Sequence, residues 1–82
     1  MRARGDVYHP IELLKDTPIG SFVYSGYDGN SYNVVSIIQC LTTENYSPTN
    51  HGSSIEFGTT MNNTIEPRIN LKINHNGSIE CL

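Results

Sequence analysis

The side chains most often used for metal binding and nucleophilic chemistry are His9, His51, His75, Cys40 and Cys81. Zinc sites usually draw their ligands in close pairs such as C-x2-C, and no such pair occurs here. Glu56, Glu66 and Glu80 offer carboxylates for acid–base work, but two of them fall opposite cations in the strand pairing derived below. That is where a structural charge belongs. The sequence contains no G-x-S-x-G, no H-E-x-x-H, no phosphate-binding loop and no Gly-rich turn leading into a helix. A chain this short also has little room for a deep pocket. The expectation is a protein that is not an enzyme and has no metal and no cofactor.

A different chemistry is concentrated in YSGYDGNSYN, residues 24–33, which consists only of Tyr, Ser, Gly, Asp and Asn. This is the mixture favoured in binding loops. Tyr supplies large contact area with few rotamers to freeze, and the small polar residues supply adaptable hydrogen bonds. The competing reading is a hairpin in which Tyr24 or Tyr32 is core and Asp28-Gly29-Asn30 is turn chemistry. Tyr27 stands at the expected tip, and Tyr46 is a second aromatic in a polar loop. The candidate partner-binding set is therefore Tyr24, Tyr27, Asp28, Asn30, Tyr32 and Tyr46.

Three further signals have bland explanations. Arg4-Gly5-Asp6 matches an adhesive tripeptide, but no disulfide loop presents it and it reads as a solvated N-terminus. Asn45, Asn62 and Asn76 each begin a glycosylation sequon in a chain rich in Asn, Ser and Thr. The opening MRARGDVYHPIELL is basic but lacks the apolar run of about 7–15 residues that a signal peptide needs. Val34-Val35 and Ile37-Ile38 are far too short to span a bilayer. The expectation is a cytoplasmic chain with no membrane contact, reduced cysteines and unmodified sequons.

Eighty-two residues make one domain. Its hydrophobic share is 37% with no Trp, which predicts modest stability, and self-association or a partner surface would supply the burial a monomer lacks. The net charge is −3 with five Lys and Arg in all, two of them in the tail. That is too few to build the basic stripe of a phosphate-neutralising nucleic-acid binder.

The elements that must position these residues are mostly strands. A tail is expected over 1–9. PIELLKD, residues 10–16, fits a short helix with Pro10 at its first position, ended by Thr17-Pro18. From residue 20 to 82 every signal is β. A turn at Asp28-Gly29 places Val23 across from Val34 or Val35, depending on loop length. The strand from about Ser31 to Leu41 is long enough to bend or to run through the sheet. TTENYSPTNHGS reads as the longest loop.

Charges test the register of the last two hairpins. With His75-Asn76-Gly77 as a three-residue loop, Ile73 faces Ile79, Leu71 faces Cys81, and Lys72 faces Glu80 on the other side. With Met61-Asn62-Asn63 as the loop, Ile55 faces Ile69, Phe57 faces Pro67, and Glu56 faces Arg68. Both choices gather apolar residues on one face: Ile55, Phe57, Ile69, Leu71, Ile73, Ile79 and Cys81. Pro67 then marks a bulge or an unpaired stretch.

The expected fold is mainly β: a short N-terminal helix followed by about five antiparallel strands, in an SH3-like small barrel or a half-open bent sheet, with a plain antiparallel sheet carrying the helix on one face as the second choice. PIELLKD, the strand pair around DGNSYNVV and the final NGSIECL resemble the Sm-like RNA-binding proteins, which implies a five-stranded bent sheet and ring assembly. The sequence departs from that family where its second-strand glycine falls on Val34. It also lacks the Asp-and-Asn loop within IIQCLTTEN and has Asn76-Gly77 in place of an Arg-Gly. The reading these features favour is a small non-enzymatic protein that acts by occupying a surface of a partner protein, as a regulator, inhibitor or immunity-like accessory protein of the kind phages and mobile elements encode. The runner-up is a small-barrel nucleic-acid binder, oligomeric like the Sm-like rings, that uses aromatic stacking in place of charge.

Overall fold

The computed structural model describes residues 4–5 and 10–82, with side chains from Glu12 onward. Asp6 of the adhesive tripeptide and His9, both in the expected tail, lie outside the described residues. Seven strands follow one another: β1 (Arg4–Gly5), β2 (Pro10–Ile11), β3 (Pro18–Tyr27), β4 (Tyr32–Thr42), β5 (Ser53–Thr59), β6 (Arg68–Ile73) and β7 (Ile79–Cys81). β1 and β2 form a two-residue ladder of their own. The other five make one antiparallel sheet whose spatial order is the sequence order, β3-β4-β5-β6-β7.

The expected helix over 10–16 is not formed, and no helix occurs among the described residues. One or two turns cannot repay helix nucleation, and here the backbone has other partners. The Leu13 carbonyl accepts the Tyr46 N–H at 2.8 Å, and the Leu14 carbonyl accepts the Thr42 hydroxyl at 2.6 Å. Asp16 sits at φ 63°, a left-handed conformation that stops any helix. Its N–H donates to the Thr42 carbonyl at 3.0 Å, and the Thr42 N–H donates to the Thr17 carbonyl at 3.0 Å.

The barrel is also corrected. The sheet stays open, with β3 and β7 as its two edges. The chain measures 46 × 33 × 13 Å, and β3 to β7 all lie in the one sheet. Among the described residues Leu13 is the only buried hydrophobic one, at 4% exposure, beside buried Thr42 and Ser54.

The C-terminal hairpin has the expected register: Leu71↔Cys81, Lys72↔Glu80 and Ile73↔Ile79. Asn74 and Ser78 close the loop, Asn74 N–H to Ser78 carbonyl at 2.8 Å, and Gly77 takes φ 88° inside it. The β5–β6 hairpin differs. Ile55 pairs with Ile73, Glu56 with Lys72 and Phe57 with Leu71, four residues along from the expected partners. The loop therefore runs over residues 60–67, with Pro67 unpaired before β6. Its Met61–Thr64 turn, closed by the Thr64 N–H to the Met61 carbonyl at 3.2 Å, holds Asn63 at φ 66°.

Three bulges shape the sheet, the first leaving Ile19 of β3 as the extra residue between the pairs Pro18↔Leu41 and Gly20↔Cys40. The second, in β4 between the pairs Tyr24↔Ser36 and Ser25↔Val34, leaves Val35 as the extra residue. The four-residue loop between Tyr27 and Tyr32 and this bulge each shift the register by one, so Val23 pairs with Ile37, neither of the two partners expected. The third, at Asn70 in β6, lies between Phe57↔Leu71 and Gly58↔Ile69. It turns Ile69 to the opposite face from Leu71, so Ile69 leaves the apolar face assigned to it.

Candidate functional site

Register and alternation place two cross-strand rows on one face of the sheet. Phe22, Ile38, Phe57, Leu71 and Cys81 form the first; Gly20, Cys40, Ile55, Ile73 and Ile79 form the second. No Asp, Glu, Lys or Arg stands in either row. Tyr24 extends this face, its ring edge-on to Phe22 with centroids 5.1 Å apart. Much of this apolar surface is open to solvent: Phe22 is 61% exposed and Ile79 64%. The sequence identified most of these residues as an apolar face; what it did not show is how much of that face the described residues leave exposed.

The reverse face carries the polar row Ser21, Gln39, Glu56, Lys72 and Glu80. Gln39 Nε2 donates to Glu56 Oε1 at 2.6 Å, and Asn74 Nδ2 donates to Glu80 Oε1 at 2.9 Å. A smaller apolar row, Val23, Ile37 and Ile69, crosses it around Gly58. The two faces thus differ in kind: one is uncharged and apolar, and the other carries a row of polar and charged side chains, of which Gln39, Glu56 and Glu80 are hydrogen-bonded.

At the far end of β3 and β4 the Tyr-rich hairpin closes. Tyr27 pairs with Tyr32 across a four-residue loop, and their rings lie 5.1 Å apart. Asp28 organises this loop. Its Oδ1 accepts the N–H groups of Asn30 at 2.7 Å and Ser31 at 2.8 Å, and its Oδ2 accepts Asn33 Nδ2 at 3.0 Å. Gly29 takes φ 97° within it. A groove of about 420 Å³ opens beside the tip, lined by Tyr27, Asp28, Asn33, Val35, Ile65 and Glu66 among others.

The Ser31 N–H, then that of Asn30, hold the Asp28 carboxyl below its ordinary value. A depressed folded-state pKa contributes order that is present above the unfolded value, near pH 4, and lost as pH falls through the lowered one. The expected result is that a pH titration followed by NMR shows the Asp28 carboxyl carbon moving at lower pH than an Asp in an unstructured peptide. The Asn30 and Ser31 amide shifts should move with it. An unshifted midpoint would show that these hydrogen bonds do not persist in solution.

The six candidate residues do not form one surface. Tyr27, Asp28, Asn30 and Tyr32 meet at the hairpin tip, and Tyr24 belongs to the apolar face. Tyr46 is tied by its backbone to Leu13, near the start of β3, about 30 Å of strand away from the tip. It is half-buried, and its ring meets His51 edge-on at 5.7 Å. Burial, with the acidic groups of Cys40 and Glu44 nearby, pushes its hydroxyl pKa up.

Cys40 and Cys81 are both free. Three strand spacings separate β4 from β7, about 14 Å, well beyond the reach of a disulfide within one chain. Among the described residues no group of three or more His, Cys, Asp or Glu converges to hold a metal ion. Among them, too, no helix is long and apolar enough to cross a membrane.

No protein-family model matches the sequence, and no curated protein matches it. A match comes from the fold. The chain superposes on the carboxy-terminal domain of the bacteriophage T5 L-shaped tail fibre with a TM-score of 0.77 at 18% identity. The likeness covers 96% of this chain but 30% of that one, so the chain spans less than a third of the fibre domain's length. At this identity it shows a shared fold.

Proposed function

We propose that this chain is a non-enzymatic, protein-binding structural module of a fibre-like assembly, a sheet completed when protein covers its apolar face. The observation that carries this reading is the uncovered pair of rows running through Phe22–Cys81 and Gly20–Ile79, in a chain with one buried hydrophobic side chain among the described residues. An isolated sheet with so little core cannot offset the conformational entropy of ordering its strands. The same apolar surface placed against protein contributes at about 25 cal/mol per Å² removed from water. The likeness in fold to a tail-fibre domain supports the reading. The regulator or inhibitor reading shares the same physical requirement, a surface that works by being occupied.

The test is the state of the chain on its own at high dilution. At about 0.1 μM, where association is weakest, the protein should bind a hydrophobic dye and melt without a sharp transition. A dilute monomer that melts cooperatively and leaves the dye dark would overturn the proposal.

A further inference from the structure

We infer that the protein covering the apolar face is a second copy of this chain, which packs the same two rows against its own. This rests on the reading above, that the face is covered by protein at all. Charge supplies the first argument. The two rows contain no Asp, Glu, Lys or Arg, so nothing on them selects a partner of opposite sign. Copies that each carry a net charge of −3 can meet there without placing like charges in contact.

Area supplies the second. The chain exposes 6307 Å², against roughly 4,900 Å² for a compact protein of its size. The excess of about 1,400 Å² belongs to the whole chain and is large enough to include the ~800 Å² that each partner buries in a stable interface. Shape is the third. Phe22 projects from the sheet next to Gly20, where a side chain would meet nothing within 4 Å. A surface with a large ring beside a gap can be complementary to itself, as a two-fold interface requires.

The experiment is light scattering on the purified full chain at about 100 μM, a concentration that favours association. It compares Ile55→Lys, in the middle of the face, with Val23→Lys on the reverse face. Both positions are already solvent-exposed, so neither substitution breaks a core. The wild type and Val23→Lys should have the mass of an oligomer, and Ile55→Lys should weaken association by at least ~30-fold, the loss that marks an interface hot spot. Cys81, exposed in the single chain, should react slowly with a thiol reagent in the assembly and quickly in Ile55→Lys. If Ile55→Lys does not fold, Ile79→Lys at the β7 edge serves in its place.

Oligomers insensitive to Ile55→Lys and Ile79→Lys, or equally sensitive to Val23→Lys, would overturn the face. A wild type that is monomeric and poorly ordered would overturn the second copy while leaving the need for a protein cover intact. One that is monomeric and cooperatively folded would overturn both.

Discussion

Replacing Thr42 by Val should lower the unfolding free energy by about 2–4 kcal/mol, measured by denaturant titration at fixed protein concentration. Thr42 is the most completely buried side chain among the described residues, at 1% exposure, and it is polar. Its hydroxyl donates to the Leu14 carbonyl at 2.6 Å and accepts the Thr17 N–H at 2.9 Å. Val has nearly the same shape and fills the same space, so the loss is of hydrogen bonds and not of packing. It leaves one backbone acceptor and one backbone donor of part-buried hydrogen bonds unpaired, each costing about 1–3 kcal/mol. Thr42→Ser keeps the hydroxyl and should recover most of the loss. Equal losses in Val and Ser would mean that the methyl group matters and the hydroxyl does not.

The second large effect is expected at Gly58. A β-carbon built there would lie 2.8 Å from Ile37 Cγ2, 3.1 Å from the Arg68 carbonyl oxygen and 3.3 Å from Ile69 Cδ1. The first distance forces a shift, and the second involves backbone that cannot rotate away. Gly58→Ala should therefore destabilise the sheet by about 1–3 kcal/mol, the range for overpacking, despite removing a flexible glycine from a strand. The test is a double-mutant cycle in thermal melts. Ile37→Ala removes the Cγ2 group that the new methyl would strike, so the double substitution should cost less than the two single ones added together. Simple additivity would place the strain elsewhere, at Arg68.

The same neighbourhood explains what could be read from the sequence. The C-terminal register was legible because Lys72 and Glu80, Ile73 and Ile79 satisfy charge and face together, and a slip of one residue breaks both. The β5–β6 register was not. Arg68 and Lys72 are both cations and Ile69 and Ile73 both isoleucines, four residues apart, so a slip of four keeps every face and every charge pair. The one local signal separating the two was Pro67, which the shorter loop places opposite Phe57 although it cannot donate to a ladder.

The Asn70 bulge was invisible for a similar reason, since alternation marks which residues share a face only while the ladder is unbroken. The helix over 10–16 failed because its propensity was outweighed by partners distant in sequence, Thr42 and Tyr46. Closure into a barrel depends on whether β3 and β7 meet, and no short stretch of sequence encodes that. Of the candidate site, the Tyr27–Tyr32 tip and most of the apolar face were legible in residue type. Their separation along β3, and the exposure of the face, emerged only with the strands in place.

The strict order β3-β4-β5-β6-β7 has a directional consequence. Five antiparallel strands are an odd number, so the backbone enters along one edge at the end marked by Pro18 and leaves along the other edge, heading towards the end marked by Tyr27. An even-stranded meander returns its chain to the end where it began; this one carries it forward. Pulled by its two ends, such a sheet would be loaded diagonally, and the three-residue ladder of β7 would be the first to peel.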